Sequence, residues 1–66
     1  MFNIHVDVPS GARSRGYDRD TEEEALKTFE RAVSQIKPWD GMVCDVVMTN
    51  EIDEEVMREH IDNATR

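Results

Sequence analysis

Cysteine occurs once in the 66 residues, at Cys44, so no disulfide can form within the chain. A domain this small has a small core and is marginal alone, and disulfides, a metal or a partner often help such chains. A lone thiol fits a reducing, cytoplasmic compartment better than a secreted one. Bases are scarce too. Eight Lys and Arg against fifteen Asp and Glu leave a formal net charge of −7. That charge favours solubility and opposes general binding to nucleic acid or anionic membranes. No apolar run approaches the ~20 residues needed to cross a bilayer. The opening residues carry no basic segment and no continuous apolar stretch, which predicts no secretory leader. There is no internal repeat and no low-complexity tract. No catalytic, metal or nucleotide motif rises above background. Gly11 and Gly16 have the glycine spacing of a P-loop, but Tyr17 and Asp18 stand where Lys and Ser/Thr are required.

What is present is a well-specified amphipathic helix. Thr21 can cap its start and Glu24 can close a capping box. Ala25, Leu26, Phe29, Ala32, Val33 and Ile36 recur at helical spacing, and Pro38 stops the run. Glu22, Glu23 and Glu24 suit the first turn and Lys37 the last, where the macrodipole favours each sign. The spacing predicts a helix over 21–37.

Two strands flank it. Phe2, Ile4, Val6 and Val8 alternate with Asn3, His5, Asp7 and Pro9, predicting a strand over 2–8 with one buried face. Met42, Cys44, Val46 and Met48 form a fully apolar face over 42–49, opposite Val43, Asp45, Val47 and Thr49. The apolar face should meet the helix. Residues 12–19 read either as a loop or as a short return strand with Tyr17 pointing inward. Residues 50–66 are ambiguous. Ile52, Val56, Met57, His60, Ile61 and Ala64 fall at helical spacing, and propensity favours a helix there. The alternative is a turn over 50–54 returning 55–61 as a strand. The last four residues are expected to fray.

The expected architecture is therefore one domain over 1–66, a small two-layer α+β sandwich. One amphipathic helix lies on a short β-sheet in the order β-(β)-α-β, followed by a C-terminal helix or strand. Two firm strands make a poor sheet, so either the ambiguous segments add strands or a second copy completes it, and a homodimer is expected.

The candidate chemistry is thin. Trp39, at the helix-to-strand turn, is either an interface anchor or a cap over the end of the core. His5, Asp7 and Asp45 could share one sheet face, but no spacing matches a known metal site and a fourth ligand is missing, so no metal or cofactor is expected. Val43 and Val47 share that face and make it a half-apolar partner surface if nothing covers it. Cys44 reads as a buried hydrophobe. Arg13, Arg15 and Arg19 with Tyr17 could contact nucleic acid weakly. The acidic helix surface, with Glu23 and Glu30, could meet a basic partner.

The size, the acidity and the lack of catalytic motifs look like the small orphan proteins of phages and prokaryotes, a likeness of type that transfers no residue roles. The sequence thus points to a non-enzymatic, acidic protein-binding module in the cytoplasm, an inhibitor or regulator of another protein. Its partner contacts are expected at Trp39, Val43, Val47, Asp45, His5, Glu23 and Glu30. The alternative is a nucleic-acid-linked role, through acidic mimicry toward a basic target or through the arginine segment. A small-molecule enzyme is disfavoured, because a chain this short cannot enclose a sizeable pocket.

Overall fold

The computed structural model describes residues 1–14 and 16–64. Strand β1 (Phe2–Asp7) leads through a loop to the short strand β2 (Tyr17–Arg19). Helix α1 (Glu22–Ile36), β3 (Val43–Thr49) and β4 (Glu55–Asp62) follow. The four strands form one antiparallel sheet in the order β2-β1-β3-β4. The helix packs on β1, β2 and β3, giving the expected α+β architecture with a single helix.

The helix begins where its capping residues dictate. Thr21 is extended and its hydroxyl accepts the Glu24 N–H at 3.2 Å, while that hydroxyl donates to Glu24 Oε1 at 3.1 Å. Glu22, Glu23 and Glu24 complement the positive helix end. Lys37 is the C-cap, just beyond the last turn, and its N–H still bonds to the Val33 carbonyl. Ala25, Phe29 and Ile36 are buried against Ile4, Cys44, Val46 and Met48. Phe29 is the largest helix side chain in this contact, and truncating it to alanine costs about 3–5 kcal/mol.

The register puts even-numbered residues of β1 and β3 on the helix side, as period two requires. Cys44 is buried there, and burial pushes its thiol pKa up. The return strand is real but short, and Tyr17 is not buried. It lies on the helix side of the sheet with 60% of its surface exposed, and the Arg19 guanidinium sits 5.7 Å from its ring.

The C-terminal segment is a strand, which corrects the helix favoured by propensity. Asn50 decides it. Its Oδ1 accepts the N–H groups of Ile52 and Glu54 at 3.1 and 2.9 Å, and its own N–H bonds to the Glu54 carbonyl. Such side-chain to backbone bonds compete with helix formation and close a turn. Asp53 takes a left-handed conformation there, φ 65°. The following residues then pair with β3, and the apolar spacing that suggested a helix buries only Ile61 of β4.

Asn63 does not fray. It is buried, its backbone N–H bonds to the Met42 carbonyl, and its side chain donates to the carbonyls of Lys37 and Trp39. Ala64 is exposed and its N–H bonds to Asp62 Oδ1 at 3.1 Å, while Thr65 and Arg66 lie outside the described residues.

Candidate functional site

The turn after the helix positions Trp39. Pro38 cannot continue the helix hydrogen bonding, and Gly41 supplies a positive φ of 77°. The Trp39 N–H bonds to the Ile36 carbonyl, and the Trp39 carbonyl accepts from both Met42 N–H and Asn63 Nδ2. Its backbone is thus fixed at three points, yet 56% of its surface stays exposed. The ring borders an apolar groove of about 390 Å³ between the helix end and β1, together with Val6, Val8, Ala12, Ile36 and Met42. Arg13 and Ser14 supply its polar rim. The ring is therefore not consumed in the core.

The face away from the helix carries a polar network. His5, Asp7 and Asp45 do share that face, with Asp7 directly opposite Asp45 across the β1–β3 pair and His5 opposite Val47. Asp18 accepts from the Asn3 carboxamide at 3.0 Å, and the Asn3 oxygen accepts the His5 Nδ1 proton at 2.9 Å. The second ring nitrogen, Nε2, is buried, has no hydrogen-bond partner among the described residues, and lies 3.8 Å from Asp7 Oδ1. Burial pushes the His5 pKa below its ordinary value, with the Arg13 charge adding to the effect and Asp7 opposing it. Gly16 packs against this chain so closely that a Cβ there would fall 2.3 Å from the Asn3 amide nitrogen.

On β3 and β4 the network continues. Asp45 accepts from Arg58 and from His60 Nδ1, the latter at 2.6 Å, and Arg58 also reaches Glu55 at 2.8 Å. The His60 hydrogen bond, ahead of the Arg58 contacts, holds the Asp45 pKa below its ordinary value. Arg58 does the same for Glu55. Asp7 is taken by Arg13 at 3.0 Å. These carboxylates are already engaged by cations, and no group of three or more His, Cys, Asp or Glu that could hold a metal ion occurs among the described residues.

The anticipated residues therefore separate. Trp39 is exposed, and Asp45 and Val43 are half-buried, while His5 and Val47 are buried beneath the network with 3% and 2% of their surface accessible. Glu23 pairs loosely with Lys27 at 3.7 Å on the helix exterior. Glu30 stands on the other side of the molecule from the network, beside β4. Of the arginine segment, Arg13 is paired with Asp7, and Arg19 bonds to the Thr28 hydroxyl and the Asp18 carbonyl. Arg15 lies outside the described residues.

Sequence reasoning did not anticipate the groove partners Val6, Val8 and Met42, nor the exposed Ile52, Val56 and Met57. The alternation that marked Val6 and Val8 as buried carries no information on whether the helix reaches the end of β1. For the hairpin, Asn50 with Asp53 was the available signal, since both favour turns.

A surface groove of about 580 Å³ is open and lies at the sheet end beside Asp18, Asp20, Glu51 and Asp53. No helix among the described residues is long and apolar enough to cross a membrane. No known protein family matches the chain, and no curated protein or solved structure is significantly similar to it.

Proposed function

We propose that the chain is a non-enzymatic, acidic protein-binding module that acts as an inhibitor or regulator of another protein. The observation that supports this reading is Trp39. A tryptophan whose backbone is fixed by three hydrogen bonds, but whose ring borders an apolar groove in solvent, suits an interface anchor. Little ordering entropy remains to be lost when a partner side chain enters such a groove. The net charge of −7 favours a partner with a basic surface. The buried free thiol of Cys44 suits a reducing compartment, the cytoplasm. A homodimer was expected to supply missing strands. One chain already provides four, so the reading needs no second copy.

The test is capture from lysate of the native background by the tagged chain and by its Trp39→Ala variant, with circular dichroism on both. A stoichiometric partner retained by the wild type and lost by the folded variant fits the reading. Equal retention removes Trp39 from the contact surface.

A second reading is acidic mimicry of nucleic acid toward a basic target. It draws on the clustering of charge in residues 50–62, which carry six acids against Arg58 alone, a net of −5. It predicts that salt weakens capture and that nucleic acid competes.

A further inference from the structure

The strand β4 forms one edge of the sheet and runs for eight residues, whereas the opposite edge, β2, has three. Its hydrogen-bonding pattern follows from Asn63. The Asn63 N–H bonds to the Met42 carbonyl and the Asn63 carbonyl accepts from Gly41. Antiparallel ladders alternate, so Ile61, Glu59 and Met57 direct their backbone groups toward β3. Asp62, His60 and Arg58 direct theirs outward, where the described residues supply no further strand.

The helix packs on the other three strands and stops short of covering this one. A groove of about 460 Å³ remains between helix and edge, lined by Phe29, Glu30, Val33, Lys37, Met57 and Glu59. Three of the exposed large hydrophobic residues, Ile52, Val56 and Met57, belong to the β3–β4 hairpin. Around them the charge is one-sided. Residues 50–62 hold a net of −5 out of −7, and their one arginine is already bound by Asp45 and Glu55.

We infer that the β4 edge binds an extended basic segment of a partner protein as a fifth strand, with alternating apolar and Lys/Arg residues on its inner face. Outward backbone groups of Arg58, His60 and Asp62 supply the ladder, as in strand addition to an open edge. An apolar side chain meets Met57 and Val33, and a cation meets Glu59 and Glu30. A second copy of this chain fits worse. It would bring another −7 to the edge, and an antiparallel register centred on Glu59 sets that carboxylate against its own copy. The inference rests on the reading of the chain as a protein-binding module but uses residues apart from the Trp39 groove, so either surface can fail alone.

The test uses the full chain and three acetylated eight-residue peptides, two repeats each of Val-Thr-Lys-Thr, Val-Thr-Glu-Thr and Val-Pro-Lys-Pro, in which every second residue shares one face of the strand. Amide hydrogen exchange and NMR titration report binding. The valine–lysine peptide is expected to bind and to protect the amides of Arg58, His60 and Asp62. The glutamate peptide should not bind. Glu59→Gln should weaken the valine–lysine complex about tenfold, the loss of one charge-assisted contact. The wild-type protection pattern stands without that variant if it fails to fold. Equal binding of the proline–lysine peptide, which cannot form the ladder, would overturn the inference in favour of charge alone. Protection at Tyr17–Arg19 instead, or protection of β4 in the peptide-free chain as its concentration rises, would overturn it as well.

Discussion

The carboxamide of Asn63 holds the backbone of Trp39: its Nδ2 donates to the Trp39 carbonyl at 2.8 Å and to the Lys37 carbonyl at 2.9 Å. One side chain at the end of the last strand thereby ties down both the helix C-terminus and the turn that presents the tryptophan. Asn63→Ala leaves two carbonyls without this donor and should cost about 1–3 kcal/mol. Urea unfolding measures that loss. In the same variant, amide exchange at residues 39–42 should speed up more than exchange in β1.

Close packing of Gly16 on Asn3 makes a second prediction. Gly16→Ala forces the Asn3 carboxamide to move, because the added Cβ would overlap it. Overpacking of this kind costs about 1–3 kcal/mol. The Asn3 oxygen also fixes the His5 tautomer, so the His5 Nδ1 proton resonance should shift or broaden while the His60 signals stay in place.

Acid should destabilise the fold in two stages. The folded state lowers the His5 pKa below its ordinary 6.5, so the unfolded chain takes up that proton first. The His5 contribution is complete above pH 6.5 and is lost as pH falls from there through the folded value. Asp45 and Glu55 also have lowered pKa values, and their contribution is lost further down, as pH falls below their ordinary values of 3.8 and 4.5. Denaturation measured against pH should show both slopes. His5→Leu should abolish the upper one and leave the lower.

The hairpin offers a stabilising change. Asp53 holds a φ of 65°, a region costly for residues other than glycine. Asp53→Gly removes that strain and should raise stability by up to about 1 kcal/mol, read as an increased urea midpoint. Asp53→Ala should lower it.

The parts of the fold readable in the sequence were those set by local rules. Thr21 and Glu24 mark the helix start, and the alternation of Phe2–Ile4–Val6 and of Cys44–Val46–Met48 marks the two inner strands. The C-terminal segment stays open between helix and strand in the sequence because Val56, Met57, His60 and Ile61 also satisfy helical spacing, and the local turn signal of Asn50 and Asp53 wins only once β3 offers a partner. Propensity is weakest at such a point. For the site, Trp39 could be named from sequence, and so could the face shared by His5, Asp7 and Asp45. The burial of His5 and Val47 could not be, because it depends on the register that sets Arg58 of β4 beside Val47. The groove beside Trp39 depends on where the helix ends over β1, which periodicity does not encode.

The central claim is that the Trp39 ring contacts a partner, and the chain's one tryptophan makes its own reporter. The decisive measurement is Trp39 emission and acrylamide quenching, free and in the complex with the captured protein, with tryptophan in that protein replaced by a spectrally distinct analogue. The account predicts red-shifted, readily quenched emission in the free chain, and a blue shift with reduced quenching in the complex. Emission and quenching unchanged in a stoichiometric complex would contradict it.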